Sequence, residues 1–234
     1  MTPPYSKTIR QTKFEGTEQE IMREFKTASL ADQVFEKLEN DIIHGVYSKG
    51  EILTELKLVE QLGVSRTPIR EALHRLEQER LITDTGKGSL VLGITEEDLM
   101  DIMNIRQGVE PLASYYATLN MTDEGRAELS HIVDLQDFYF SKWDVEHLRQ
   151  VDDDFHDAIS RISSRTVIKD TLQPLHRKTR LYRKIAMEDK ARATITTKEH
   201  RAIYDAIMVG DAELAAKLTW EHIAHAKIHM FGGK

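Results

Sequence analysis

Apolar side chains change rhythm twice along this chain. From Ser29 onward, Leu30, Val34, Leu38 and Ile42 recur every four residues with Ala31 and Phe35 beside them, a spacing that predicts one helix face. Gly45 and Gly50 punctuate its end. Thr54 stands as the N-cap of a short second helix whose apolar residues are Leu56, Val59 and Leu62, and Gly63 sits where a helix C-terminus favours glycine. Only Val64 separates that glycine from Ser65, the next expected N-cap. Pro68 fits the first turn, where its missing N–H has no internal partner to lose. The third helix then buries Ile69, Ala72, Leu73 and Leu76. Between Leu81 and Ile94 two β-prone stretches flank a Gly86-Lys87-Gly88 tip, the pattern of a hairpin. Helix, helix, tight turn, helix and hairpin in so short a run predict a winged helix-turn-helix.

Beyond Ile94 the rhythm is helical throughout. Thr95-Glu-Glu-Asp98 is a charged helix start, followed by Leu99, Ile102, Met103, Val109 and Leu112 at helical spacing. Further helices are expected over 123–141, 144–163, 165–188, 196–209 and 211–230. Their joints fall near Asn120, Trp143, Ser163-Ser164, Ala191–Thr194 and Gly210-Asp211. Connections this short make antiparallel neighbours. The expected fold is therefore mostly α: an N-terminal winged helix-turn-helix with a small β-hairpin wing, then a C-terminal all-α antiparallel bundle. Residues 1–27 are polar; Thr17–Glu20 could open a short helix through Phe25, but a mobile arm is the simpler reading. The division is an arm over 1–27, a DNA-reading domain over 28–95 and a helical domain over 96–234.

Composition narrows the functional classes. A hydrophobic fraction of 40% with 30% charged residues excludes collagen-like and wholly disordered chains. The absence of cysteine removes disulfide frameworks, thiolate metal sites and Cys nucleophiles, and fits a reducing cytoplasm. No run approaches a membrane span, and the first residues lack the apolar stretch of a secretory signal, so a cytoplasmic protein without a membrane partner is expected. The net charge of −7 is spread without a basic block. A nucleic-acid surface would therefore work through a few placed arginines, not through a broad positive field.

Those arginines are present. A recognition helix sets its N-terminal residues against base edges while its apolar back packs on the preceding helix. Ser65, Arg66, Thr67 and Arg70 occupy the first turns, opposite Ile69, Leu73 and Leu76. Arg66 and Arg70 are four apart and point to one side, and a guanidinium can grip guanine O6 and N7 together. Ser65 and Thr67, with the free N–H groups of the helix start, suit phosphate oxygens. Lys87 at the wing tip can reach the minor groove or the backbone. The plainer alternative is a surface helix whose arginines pair with Glu71, Glu77 or Glu79.

The run from Gly50 to Glu79, and Val64–Leu73 most of all, resembles the signature of the GntR family of bacterial transcription regulators. The likeness continues through the wing to Val91. The helical half resembles the all-helical FCD effector domain of the FadR-type subgroup. The resemblance implies a homodimer on a pseudo-palindromic double-stranded DNA operator, with a small organic-acid effector that changes its affinity, and no enzymatic activity. Arg80 departs from the pattern, standing where the family usually has glycine. Ser164-Arg165 departs again, where many members have Gly-Asn.

Candidate ligand chemistry lies in that same half. Asp152 and His156, four apart in Asp152-Asp-Asp-Phe-His156, share one helix face and can grip one ion. Carboxylate with neutral imidazole suits Zn, Ni, Mn or Fe(II). By spacing alone, a hydrogen bond on the helix surface explains the pair better. The resemblance adds one histidine on each of two later helices, His200 and His222, completing an Asp plus three His set with open positions for a metabolite carboxylate. Arg106 matches a basic position that the family uses beside the effector; a salt bridge to Glu110, one turn on, is its alternative role. His131, His147 and His176 sit among polar neighbours and are expected in solvent.

Two other classes compete. A helical-bundle metalloenzyme, a metal-dependent hydrolase with an accessory DNA-binding module, would need a carboxylate base such as Asp153, Asp154 or Glu199. An interaction protein whose helical half only dimerises would bind no metal.

Overall fold

The computed structural model describes residues 29–232, so the arm and its possible helix lie outside the described residues. Two compact units divide the chain at Leu92–Gly93.

The first unit opens with α1 (Leu30–Ile43), whose capping box pairs the Ser29 hydroxyl and backbone N–H with Asp32. Strand β1 (Ile52–Leu53), helix α2 (Glu55–Leu62), helix α3 (Arg66–Gln78) and strands β2 (Ile82–Asp84) and β3 (Ser89–Val91) come next. The Thr54 side chain caps α2 by accepting from the Lys57 N–H, and Gly63 ends it at φ +66 in the left-handed region. Two expectations about α2 and α3 change. Helix α2 buries Leu58, keeps Val59 and Leu62 half-buried beside it and leaves Leu56 largely exposed, so its inward face excludes the first of the expected residues. Ser65 does occupy the N-cap of α3, but its hydroxyl makes no capping bond.

The wing has three strands, not two. β3 lies between β1 and β2, antiparallel to both, with Ile52 opposite Leu90 and Ile82 opposite Val91. Gly88 is required there: a Cβ on it would lie 2.7 Å from the Leu53 carbonyl oxygen. Arg80 takes φ +57 between α3 and β2, the conformation that glycine adopts without penalty. The turn is thus kept despite the arginine, at a cost in backbone strain.

The second unit is helical: α4 (Glu96–Leu119), α5 (Asp123–Lys142), α6 (Val145–Ile162), α7 (Thr166–Glu188), α8 (Lys190–Val209) and α9 (Ala212–Phe231). Helix α8 begins earlier than expected. Asp189 accepts from the N–H groups of Ala191 and Arg192, so the joint is at Asp189 and the Ala191–Thr194 stretch is helix. Ser164 holds φ +53 after α6, as Arg80 does in the first unit. The bundle core takes one or more side chains from every helix, among them Ala113, Leu129, Phe155, Leu172, Ile203 and Ala215. Leu112, by contrast, is half exposed. Among the described residues no helix is long and apolar enough to cross a membrane.

Candidate functional site

In the first unit, α3 turns Ile69, Ala72, Leu73 and Leu76 inward and leaves Ser65, Arg66, Thr67 and Arg70 exposed. Arg70 does not pair within its own helix. Its Nε donates to Glu55 Oε1 of α2 at 2.7 Å, which holds the Glu55 carboxyl below its usual range. This pair is exposed, so DNA can exchange it at little cost. Lys87 is exposed at the wing tip, where Asp84 and Thr85 accept from the N–H groups of Gly86 and Lys87. Arg70, His74 and Lys87 border one surface groove, a juxtaposition of helix and wing that sequence spacing alone did not show. Arg75 serves the fold instead, bonding Asp32 at 2.5 Å and lying over the Phe35 ring.

In the second unit, α6 supplies Asp152 and His156, α8 supplies His200 and α9 supplies His222; all four are buried. The three imidazoles offer nitrogens within 4.8 Å of one another. Each ring is oriented through its Nδ1: His156 on Glu110 at 2.8 Å, His200 on Gln136 at 2.6 Å, and His222 on Glu199 at 2.7 Å. Those partners present oxygen acceptors, which assigns the proton to Nδ1 and leaves the Nε2 lone pairs free to converge. The His200 and His222 Nε2 atoms stand 3.4 Å apart. Two lone pairs at that distance repel unless a cation lies between them. Nitrogens about 2.1 Å from a shared ion are themselves roughly 3–3.4 Å apart, so the residues fit a divalent metal. Asp152 Oδ1 is 3.7 Å from His200 Nε2, with its other oxygen 3.6 Å from Arg183 Nε. The aspartate thus stands beside the triad, between the ion position and an arginine.

Electrostatics favour neutral imidazoles at His156 and His200. Burial pushes His200 well below the usual histidine range, and the neighbouring His222 and His156 add to it. Burial lowers His156 likewise, against the opposing pull of Glu110. Burial raises the Asp152 carboxyl although Arg183 opposes it. Glu110 goes the other way: burial works against its charge, but Arg106 and the His156 and His176 bonds overcome it and hold the carboxyl low.

Both expected roles of Arg106 are compatible with its position. Its Nε donates to Glu110 at 2.5 Å and its Nη1 to Thr179 at 3.2 Å, and it lines a cavity of ≈ 270 Å³ reaching Asp152, His156 and His222. His176 is a correction. It is 2% exposed, not in solvent, because α7 turns it inward between Asp157 at 2.7 Å and Glu110 at 3.2 Å. Arg183, Arg192 and Thr196 also line the cavity and were missed: the run Arg177-Lys-Thr-Arg180-Leu-Tyr-Arg183 reads as a solvated face, Arg192 falls in an expected joint and Thr196 at an expected helix start. The inward row of α7 is Leu172, His176, Thr179, Arg183 and Met187, and this spacing of three and four is the one signal that could have shown it.

The carboxylates a hydrolase would need are engaged or turned away. Asp153 accepts from Arg183 at 2.7 Å, Glu199 holds His222 and His225, and Asp154 is exposed.

Residues 30–91 match the profile of the bacterial regulatory proteins of the gntR family, and residues 101–225 match the FCD domain. The Uxu operon regulator of Haemophilus influenzae is 28% identical over 214 residues, covering 83% of this chain and 79% of that protein. The gluconate operon transcriptional repressor of Bacillus licheniformis is 33% identical over 134 residues, 57% of this chain and 55% of the other. Among solved structures, E. coli McbR/YncC shares the fold at TM-score 0.73 and 24% identity, covering 88% of this chain and 99% of that one. This chain belongs to the GntR family of bacterial transcription regulators, with a winged helix-turn-helix followed by an FCD domain, and it is not an enzyme.

Proposed function

We propose that the chain is a metabolite-responsive repressor that works in the cytoplasm as a homodimer on a pseudo-palindromic operator. The repressor sense comes from the gluconate operon relative. Arg66, Thr67 and Arg70 read a half-site in the major groove, Ser65 holds phosphate at the start of α3, and Lys87 adds a wing contact. Asp152, His156, His200 and His222 hold one divalent transition metal, and Arg106 steadies an organic-acid effector beside it. When bound, the metal supplies positive charge and open coordination positions to the effector's carboxylate. The protein's own groups do the rest: Glu110, Gln136 and Glu199 aim the rings. An effector that prefers one arrangement of the helices changes DNA affinity by a coupling of about 1–3 kcal/mol.

The convergence of three Nε2 lone pairs, each ring held from behind by an acceptor, carries this reading. Elemental analysis of the purified protein tests it. About one metal per chain is expected, with His200→Ala reducing it sharply; equal metal content in the variant contradicts the ligand assignment.

A further inference from the structure

The chamber beside the triad is lined by two unlike sets of groups. On the α7–α8 side, two buried polar atoms have no hydrogen-bond partner among the described residues: Arg183 Nη2 and Thr196 Oγ1. Both residues line the cavity and are under a tenth exposed, at 7% and 3%. Burying such groups unmet is costly, so each marks a place for a ligand oxygen. The rest of Arg183 is occupied, with Nη1 on Asp153 at 2.7 Å and Nε 3.6 Å from Asp152. Arg106 and Arg192 are likewise engaged by Glu110 and Glu199. Arg183 Nη2 and Thr196 Oγ1 are thus left over for the ligand's head, in the cavity that Arg106 also lines.

Much of the remaining lining is apolar: Met103 of α4, Ile185 and Met187 of α7, and Met230 of α9, with Tyr182 and His229 among them. Thioether side chains conform to aliphatic or aromatic groups, and they leave a hydroxyl without a partner. The two unmet atoms, Arg183 Nη2 and Thr196 Oγ1, match the two oxygens of one carboxylate and leave a second carboxylate without a partner. The volume of ≈ 270 Å³ is that of about nine waters, which sets the scale of the ligand.

We infer that the effector is a compact monocarboxylate with an apolar tail, its head on Arg183 and Thr196 and its tail on the methionines. Polyhydroxy acids and dicarboxylates are disfavoured. This rests on the metal-assisted carboxylate site proposed above and adds the class of acid.

Calorimetric titration of the metal-loaded, full-length protein tests it with three acids of similar size: hexanoate, 2,3,4-trihydroxybutanoate and malate. Hexanoate binds at least about tenfold more tightly than the other two. Met230→Gln weakens hexanoate by roughly tenfold and leaves trihydroxybutanoate within about twofold, whereas Thr196→Val weakens all three alike. Melting of each variant without ligand confirms that it folds. Equal or tighter binding of either polar acid overturns the inference while leaving a carboxylate effector standing. Unchanged hexanoate binding in Met230→Gln overturns the placement of the tail. No binding of any of the three contradicts the inference and the effector reading together.

Discussion

The two units build their working surfaces in opposite ways. In the first, Ser65, Arg66, Thr67 and Arg70 come from two turns of one helix, face solvent, and contribute little to folding. In the second, the histidines and the groups that aim them come from five helices and, except for the half-buried Glu199, are buried, so the chemistry is also the core. His200 stacks on Phe155 at 4.1 Å between ring centres and bonds Gln136, sixty-four residues away. An exposed surface lets substitutions change recognition without changing stability. A buried network couples the two, because each polar group removed leaves another stranded.

Glu110 offers the sharpest test of that contrast. It anchors Arg106, His156 and His176 in the interior. Glu110→Ala is expected to cost about 3–5 kcal/mol of stability in the helical unit. Chemical denaturation measures this, and a loss under about 1 kcal/mol would show that water replaces the carboxylate readily. Chelation comes next. Removing a metal present at 100 to 1,000 times its dissociation constant is expected to cost about 3–4 kcal/mol, read by calorimetry as a lower melting temperature of the helical unit alone. An equal fall in both units would break the comparison.

The same contrast decides what could be read from sequence. The local features of the first unit were legible because their causes are local: Gly63 ends α2 by its left-handed φ, Pro68 suits a first turn, and Gly86 and Gly88 shape the wing tip. β1 escaped because two residues, Ile52 and Leu53, cannot show an alternation. In the bundle, Asp152 and His156 were legible as an i, i+4 pair, and only family resemblance supplied His200 and His222. Glu199, Gln136, His176 and Arg183 were not legible, since their partners lie on other helices and only packing brings them together. The start of α8 was missed because Asp189 sits between the charged residues Glu188 and Lys190, which hide its capping role.

Smaller effects are expected in the first unit. Arg70→Ala should lose about 1–3 kcal/mol of preference for operator over random DNA, with folding stability changed by no more than about 0.5 kcal/mol. Electrophoretic mobility shifts on both DNAs check this; equal loss on random DNA would make Arg70 a phosphate contact only. Arg80→Gly relieves the positive φ and is expected to stabilise the unit by up to about 1 kcal/mol. Destabilisation in thermal melts would show that the arginine side chain outweighs its backbone strain.

The metal centre is the claim on which the effector reading depends, and anomalous diffraction from crystals of the protein tests it most directly. Data on either side of the metal's absorption edge are expected to place one peak among the Nε2 atoms of His156, His200 and His222, with Asp152 alongside. A chamber without an anomalous peak, with one of the three rings turned so that its other nitrogen faces inward and donates to a neighbour, would contradict the account.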